Sequence, residues 1–275
     1  MWVELPAGPV EYSDVGKGPV IVLVHGVVMN SRLWRNVVPE LATQARVITP
    51  TLPLGSHRRP MNPGADLSMR GQVHLLADFL AALDLRDVTL VPNDWGGPLF
   101  LTAEGRDERV GRLVVTPCEA FENFPPGLPG RFAHLGTRTD FSTRLALRSL
   151  RVGWLRRAPM TLGWMARRPI PDDVVRDWTA PALTDARIRR DLMTYARGHQ
   201  DVAANVAATE ALTRFGRPAR VVWTDNRVMP RDHGPRLAEL LDAELVELPD
   251  AYVLLGEDAP QALAREVLAV LPARA

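Results

Sequence analysis

Short apolar runs alternate with amphipathic segments through the first 116 residues of the chain. Four runs rich in β-branched residues are predicted strands: 19–24, 46–49, 87–91 and 113–116. Between them, residues 31–41 and 67–85 place apolar side chains at helical spacing, and another helix is predicted from about residue 98. This alternation predicts a parallel sheet with crossover helices.

The pattern changes in the middle of the chain. Residues 124–215 have no convincing strand pattern and instead consist of Arg-rich amphipathic segments broken by prolines. The remaining predicted elements are strands at 219–223 and 244–248 and helices at 235–241 and 260–271. The sequence therefore predicts an α/β core, residues 1–123 and 216–275, interrupted by a helical cap, residues 124–215.

Composition narrows the class of protein. The chain has 275 residues, of which 46% are hydrophobic, and its net charge is +1, which argues against a dedicated nucleic-acid binder. Cys118 is the sole cysteine, so an internal disulfide or a cysteine zinc site is excluded. The first residues lack the features of a signal peptide, and no apolar run reaches bilayer-spanning length. We expect a cytoplasmic monomer or homodimer without a metal or cofactor, and without a nucleic-acid or membrane partner.

The most informative segment is LVPNDWGGP at 90–98, which joins a predicted strand to a predicted helix. A tight turn of this kind forces its central residue, Asp94, into a strained conformation and projects its side chain off the sheet edge. The small residues that follow allow close packing of the next helix, whose N-terminus favours negative charge. The alternative is that Asp94 only caps that helix.

A second motif, His25-Gly26, follows the first buried strand. Loops at this position face the ligand crevice of an α/β sheet. The backbone N–H groups of Val27 and Trp95 are therefore candidates for a clamp on an anion or carbonyl oxygen. His25 is itself a candidate substrate-binding residue of this loop. We favour a structural role that ties the loop to its neighbour over a role in proton transfer.

These residues carry a family resemblance. His25-Gly26 after a strand, Leu33-Trp34, NDWGG at 93–97 and RVGRLV at 109–114 resemble the α/β-hydrolase superfamily. Aspartate at the turn is similar to the haloalkane dehalogenase and epoxide hydrolase branch, as are the tail segments LPDA at 248–251 and EDAP at 257–260. The resemblance implies an α/β-hydrolase fold, a mostly parallel sheet flanked by helices, in which Asp94 is the nucleophile.

The chain departs from this branch at three points. Pro92 replaces the usual glycine two residues before the nucleophile. Asn30, a candidate substrate-binding residue in the loop after His25-Gly26, is out of register with the halide-binding asparagine of dehalogenases. Val253 occupies the position expected for the catalytic histidine. Since that histidine activates the water that hydrolyses the ester intermediate, its loss predicts a cycle that stalls after the first step. A cap histidine, His134 or His199, is one possible replacement.

Acidic residues follow two later strands. Glu119 lies after the fourth predicted strand, and Asp225, with Asn226 as an alternative, lies after the strand at 219–223. Both carboxylates are also open to the simpler interpretation of ordinary loop residues. If they gather around Asp94 in a partly dry site, they raise one another's pKa, which suits acid–base chemistry near neutral pH.

The sequence thus supports three hypotheses. The first is an enzyme in which Asp94, Glu119 and Asp225 perform non-hydrolytic acid–base chemistry on a hydrophobic small molecule. Such chemistry includes cyclisation, addition or elimination, isomerisation and carbon–carbon bond formation. Some proteins with the α/β-hydrolase fold catalyse steps of this kind in natural-product biosynthesis, so the resemblance implies this function as one alternative. The second is an epoxide hydrolase or dehalogenase with a displaced base, and the third is a catalytically silent ligand-binding protein.

One further site residue comes from the cap. Cap tyrosines donate a proton to a substrate oxygen in epoxide hydrolases. The resemblance therefore implies that Tyr195 is a candidate for this role. Apolar and aromatic cap residues predict adaptable walls for a hydrophobic ligand.

Overall fold

The computed structural model describes residues 1–197 and 201–272. Eight strands form one sheet in the order β1-β2-β4-β3-β5-β6-β7-β8. Their bounds are β1 Trp2–Leu5, β2 Gly8–Gly16, β3 Val20–Val24, β4 Arg46–Thr51, β5 Val88–Pro92, β6 Val110–Val115, β7 Ala219–Trp223 and β8 Glu244–Glu247. Strands β3 to β8 pair in parallel. The predicted α/β-hydrolase fold is confirmed.

The first two strands were missed by the sequence analysis. Strand β1 pairs antiparallel with β2, which in turn pairs antiparallel with β4. Side chains of β2 alternate between buried and partly exposed, so the segment lacks the continuous apolar run of the central strands.

Five helices belong to the core: α1 Val38–Leu41, α2 Met69–Ala82, α10 His233–Leu241, α11 Leu255–Asp258 and α12 Pro260–Ala269. The helix predicted over 31–41 is instead a 3-10 turn, Ser31–Trp34, followed by the short α1. The helix predicted from residue 98 is also a 3-10 turn, Gly97–Leu101. Apolar spacing identified the buried faces here but did not distinguish tight turns from regular helix.

We call residues 124–215 the helical insertion. Its described residues, which exclude 198–200, form seven helices between β6 and β7. They are α3 Gly127–Gly136, α4 Asp140–Leu150, α5 Gly153–Arg156, α6 Leu162–Met165, α7 Asp172–Thr184, α8 Ala186–Arg197 and α9 Val202–Glu210. The long loop after β4 is hydrogen-bonded to the insertion at several residues. Ser56 Oγ donates to the carbonyl oxygen of Trp178 at 2.6 Å, and His57 Nε2 lies 3.2 Å from Asp191 Oδ2. Across the described parts of the chain, no helix has the length and apolar character needed to cross a bilayer.

Candidate functional site

Asp94 stands at the turn that follows β5, in the strained backbone conformation that the sequence predicts. Its φ is 65°, in the left-handed region that non-glycine residues rarely adopt. The turn is held by the loop after β6, because the Asp94 N–H donates to the Pro117 carbonyl at 2.9 Å and the Glu119 N–H donates to the Asp94 carbonyl at 3.0 Å. A Cβ atom on Gly26 would lie 1.9 Å from Asp94 Oδ2, so glycine is required for this close approach.

The environment of the Asp94 carboxyl favours its protonated form. The side chain is almost fully buried, and burial raises its pKa to about 7. One group opposes this shift: the Val27 N–H donates to Asp94 Oδ2 at 3.2 Å. Asp94 is therefore divided between its acid and its carboxylate near neutral pH, which is the condition that a general acid or base requires.

Both backbone donors of the predicted clamp already have acceptors within the chain. The Val27 N–H faces the Asp94 carboxyl, but the Trp95 N–H donates to the Asn93 carbonyl at 2.8 Å. The backbone of Trp95 therefore does not serve as a free donor, and that prediction is wrong. Its indole N–H is different, since it is buried without a hydrogen-bond partner among the described residues and lies near enough to the Tyr195 hydroxyl to influence its pKa.

Glu119 provides a second carboxyl group at the same cavity. Its side chain is buried, and the Gly96 N–H lies 3.5 Å from its Oε2 atom. Burial raises the pKa of Glu119 well above its usual range, and the negative charge of Asp94 raises it further. The backbone approaches closely here as well, because a Cβ on Gly96 would lie 1.9 Å from the Glu119 carbonyl oxygen.

Asp225 does not join this pair. Its side chain is 69% exposed, its nearest charged partner is Arg231 at 4.0 Å, and it is absent from the cavity lining. The cause is the neighbouring Asn226, whose Oδ1 accepts the N–H groups of Val228 at 2.9 Å and Met229 at 2.7 Å. This side-chain turn fixes the loop with Asp225 outward and also occupies Asn226, the alternative candidate.

The predicted structural role of His25 agrees with its geometry. Its Nε2 accepts the Leu52 N–H at 2.9 Å, which leaves Nδ1 to donate to the Gly26 carbonyl at 2.8 Å. Burial lowers the pKa of His25 to about 4, so the ring is neutral and cross-links two loops. His25 therefore shapes the site and does not transfer protons there.

Within residues 1–197 and 201–272, no histidine nitrogen lies within hydrogen-bond distance of the Asp94 carboxyl. His57, His74 and His233 instead face Asp191, Glu104 and Glu122. His233 is buried. His134 lines the cavity, whereas His199 lies outside the described residues.

At the position expected for a catalytic histidine, Val253 is completely buried. Its carbonyl oxygen accepts a hydrogen bond from Asn93 Nδ2 at 2.7 Å, directly beside Asp94 in the chain. The loop thus returns to the strand end that carries Asp94. An aliphatic side chain at this position supplies neither a proton acceptor nor a donor.

The cavity in front of Asp94 has a volume of about 350 Å³ and is lined mainly by apolar side chains of the insertion. Tyr195 lies on its wall, as predicted, and burial raises the pKa of its hydroxyl well above the usual range. Asn30 is not in the lining: its Nδ2 donates to Asp177 Oδ2 at 2.7 Å, and its Oδ1 accepts the Arg32 N–H at 3.0 Å. Asn30 therefore ties the loop after β3 to α7, and its predicted role in substrate binding is wrong.

Two features of the lining were not anticipated. Trp178 lies on the cavity wall with a buried indole N–H that has no partner among the described residues. Val28, also on the wall, has a φ of 59°, a strained value for a β-branched residue. The sequence predicts aromatic walls but does not show that the indole donor of Trp178 lacks a partner, and nothing in the local sequence marks the strain at Val28.

Comparison with known proteins identifies the family. The model of the alpha/beta hydrolase family matches residues 21–266. The chain belongs to this family. A haloalkane dehalogenase of Mesorhizobium japonicum is 38% identical over 119 residues, which are 41% of this chain and 38% of the relative.

Longer alignments connect the chain to two activities of the alpha/beta hydrolase family. Haloalkane dehalogenase 2 of Mycobacterium bovis is 27% identical over 97% of this chain and 93% of its own length. A soluble epoxide hydrolase of Corynebacterium sp. is 28% identical over 74% of this chain and 73% of its own length. A solved alpha/beta hydrolase fold protein from Burkholderia ambifaria superposes with a TM-score of 0.79 and 25% identity, covering 98% of this chain and 97% of that chain.

Within this alpha/beta hydrolase chain, the site combines two buried carboxyl groups, a phenol and the indole donor of Trp178, which has no partner among the described residues, around an apolar cavity. Among the described residues, no group of three or more His, Cys, Asp or Glu side chains is placed to hold a metal ion. The arrangement can accept a proton at Asp94, donate one from Glu119 and hydrogen-bond a ligand oxygen.

Proposed function

We propose that this chain is an acid–base enzyme that rearranges a hydrophobic small molecule without adding water. The observation that carries the proposal is the pair of buried carboxyl groups, Asp94 and Glu119, on one apolar cavity. Asp94 has no histidine within hydrogen-bond distance among the described residues, and Val253 replaces the expected base. Asp225 plays no part in this proposal, because its side chain is exposed.

The two carboxyl groups take different roles because their pKa values differ. Asp94, with a pKa of about 7, is substantially ionised near neutral pH, whereas Glu119, whose pKa is raised well above its usual range, remains protonated. Asp94 is then the base and Glu119 the acid. This division corresponds to the general rule that two titratable groups with separated pKa values divide acid and base work.

An intramolecular addition illustrates the chemistry. The Asp94 carboxylate accepts the proton of a substrate hydroxyl group, and the resulting oxygen attacks an electrophilic carbon of an epoxide in the same molecule. The epoxide C–O bond breaks, its electron pair stays on oxygen, and Glu119 supplies the proton that this oxygen takes up. Transfer of a proton from Asp94 back to Glu119 restores the site, so the product is an isomer of the substrate.

Other groups on the cavity wall support this assignment. Tyr195 stays protonated because burial raises its pKa, and its hydroxyl can hydrogen-bond the departing oxygen. The cavity, with about 350 Å³ and a largely apolar wall, suits a hydrophobic ligand with few polar groups. Binding of such a ligand also removes water from Asp94, which favours internal addition over hydrolysis.

The proposal is tested by incubating the enzyme with hydrophobic hydroxy-epoxides in water labelled with oxygen-18. We expect a cyclic ether of unchanged mass that contains no solvent oxygen, formed over many turnovers. A simple epoxide and a haloalkane serve as matched substrates that lack the internal nucleophile, and we expect no sustained release of diol or halide from them. Repeated turnover of these simple substrates, with solvent oxygen in the product, would refute the proposal.

A hydrolase with a displaced base is the second candidate. It is favoured by the named activities of the dehalogenase and epoxide hydrolase relatives, and by His134 on the cavity wall. In that case Asp94 forms an ester with the substrate and His134 activates water. His134→Gln should then leave a covalent adduct on Asp94, visible as an increase in intact mass, whereas our proposal predicts no adduct that depends on this substitution.

Replacing Val253 with histidine provides a second discriminating variant. If the parent chain forms a stable adduct with a simple epoxide, and Val253→His converts that adduct into released diol, the missing base is the only obstacle to hydrolysis. Val253→Leu is the matched control for changes in packing at this buried position. Under our proposal, neither variant releases diol, because Asp94 acts as a base and not as a nucleophile.

A further inference from the structure

We propose that the outer face of helices α3 to α5 docks onto a bilayer that contains anionic phospholipids. Charge is distributed very unevenly along the chain. Residues 124–171 contain nine arginines and a single acidic residue, Asp140, so this segment carries a net charge of +8, whereas the whole chain carries +1. The rest of the molecule therefore has a net charge of −7, and the positive charge is concentrated in the first half of the insertion.

The same segment exposes large apolar side chains. Phe141 is 76% exposed and Trp154 is 74% exposed, which is unusual for such large apolar side chains. Four further exposed apolar residues belong to the same stretch of chain: Leu128, Leu135, Leu145 and Val152. These six residues, the arginines between them and the arginines of the small cavity at the end of α5 are here called the docking face.

Helical spacing places both kinds of side chain on one side of α4. In α4, Phe141 and Leu145 are separated by one turn, and Arg144 and Arg148 follow each of them three residues later, while Leu147 is buried. Helices that present aromatic and aliphatic side chains together with arginines lie in the interface of anionic membranes.

A small cavity adds an independent observation. It has a volume of about 130 Å³, lies between α5 and the start of α7, and is lined by Arg156, Arg157, Arg167 and Arg168. Arg156 pairs with Asp172, and Arg167 pairs with Asp250 at 3.0 Å. The side chains of Arg157 and Arg168 form no ion pair with the described residues, so they are free to meet lipid phosphates.

The charge argues against a second copy of the chain as the occupant. In a two-fold dimer the same face would meet itself, which would bring two sets of arginines together. An anionic bilayer removes this repulsion and also covers the apolar side chains. Docking on the surface of a bilayer needs no membrane-spanning segment. The expectation of no membrane partner rested on the lack of such a segment, so it does not apply to this contact.

Docking in this orientation has a consequence for the cavity at Asp94. Helices α3 and α4 line that cavity with their inner faces, through residues such as Ala133, His134 and Leu147. A hydrophobic ligand dissolved in the bilayer would thus be separated from the catalytic cavity by a single layer of helices. This contact does not depend on the reaction proposed above.

Flotation of the full chain with vesicles tests the inference. We expect binding to vesicles of phosphatidylcholine and phosphatidylglycerol, little binding to phosphatidylcholine alone, and release in about 1 M salt, where the screening length is about 3 Å. Arg157→Gln/Arg168→Gln should weaken binding roughly thirty-fold, as expected for two arginines near an anionic surface. Phe141→Ser/Trp154→Ser should weaken it by at least about tenfold.

The double variant Val15→Ser/Arg231→Gln is the matched control. It removes one exposed apolar and one exposed basic side chain from the surface of the chain outside the insertion. It should bind like the parent, and the unfolding temperature of each variant confirms that it is folded. Equal binding to both kinds of vesicle would overturn the inference. Self-association of the parent that is lost in Phe141→Ser/Trp154→Ser would also overturn it. The same holds for binding of inorganic phosphate without binding of anionic vesicles.

Discussion

The loops after β6 and β7 each place a carboxylate just beyond the carboxyl end of a parallel strand, yet they have opposite outcomes. Glu119 is buried beside Asp94, whereas Asp225 is exposed to solvent. The difference comes from the backbone: the first loop forms hydrogen bonds to Asp94, and the second is turned by Asn226. Position after a strand is therefore not sufficient to place a carboxylate in the site.

The comparison also shows what burial does to the chemistry. Near Asp94, desolvation raises the pKa of both carboxyl groups and makes them able to exchange protons at neutral pH. A carboxylate in the exposed loop stays hydrated and has no such role. The following predictions test this contrast.

We expect the largest effect from Asp94→Asn, which keeps the shape of the side chain but removes the base. The rate of hydroxy-epoxide isomerisation should fall by roughly 10²–10⁴-fold. Initial rates at saturating substrate measure this, with circular dichroism as a check on folding. Retention of the parental rate would mean that Asp94 is not the base.

Glu119→Gln should reduce the same rate less severely, by roughly 10²-fold, because an amide cannot donate the proton but can still hydrogen-bond. In the parent, the rate should rise as Asp94 ionises around pH 7 and fall at higher pH as Glu119 loses its proton. The variant should keep the rise and lose the fall, since Glu119 is uncharged when Asp94 titrates. A pH–rate profile from pH about 5 to 10 checks both limbs; a midpoint displaced well below pH 7 would contradict the assignment.

The stability of the fold should depend on pH through Asp94. Its folded-state pKa, about 7, lies above the ordinary value of 3.8, so the folded state retains the proton more strongly. Its stabilising contribution is complete below pH 4 and is lost as the pH rises through 7. Asp94→Asn should therefore increase the free energy of unfolding at pH 8 by up to about 4 kcal/mol, and change it little at pH 4.

Urea denaturation at both pH values measures this difference. The neighbouring Asn93 is unsuitable as a control position, because its side chain anchors the Val253 carbonyl. Asp78→Asn, on the surface of α2, is the better reference. A gain of equal size at pH 4 and pH 8 would show that the effect comes from packing and not from ionisation.

The smallest effect is expected from Asp225→Asn. Since this side chain is exposed and lies away from the cavity, the isomerisation rate should stay at the parental value and the free energy of unfolding should change by less than about 0.5 kcal/mol. The same two assays measure it. A large loss of rate would require the loop after β7 to move Asp225 into the site when substrate binds.

The sequence was sufficient for the features that follow from strand periodicity. The parallel strands and the strained turn at Asp94 depend on apolar runs and the residues that end them, and these patterns are local. The burial of Glu119 also depends on the hydrogen bonds between its loop and Asp94, which these patterns do not predict. The outward direction of Asp225 depends on hydrogen bonds made by Asn226, which strand periodicity does not predict.

Elements held by distant contacts were harder to predict. Strand β2 is specified by its pairing with β4 rather than by its own apolar content. The roles of Asn30 and the Trp95 N–H also depend on partners, Asp177 in the insertion and Asn93 in the turn, that only the folded chain brings into contact. Electrostatic consequences of burial, such as the pKa of Asp94, require these contacts to be known first.

The attachment of the insertion is uneven. Helices α7 and α8 are tied to the loop after β4 through Ser56 and His57, whereas α3 and α4 have large exposed side chains on their outer faces. We therefore expect α7 and α8 to stay fixed on the core while α3 and α4, the free edge of the insertion, move relative to them. Ligand exchange would then be paced by that free edge, and cross-linking it to the core would slow both admission and release while leaving the carboxyl groups untouched.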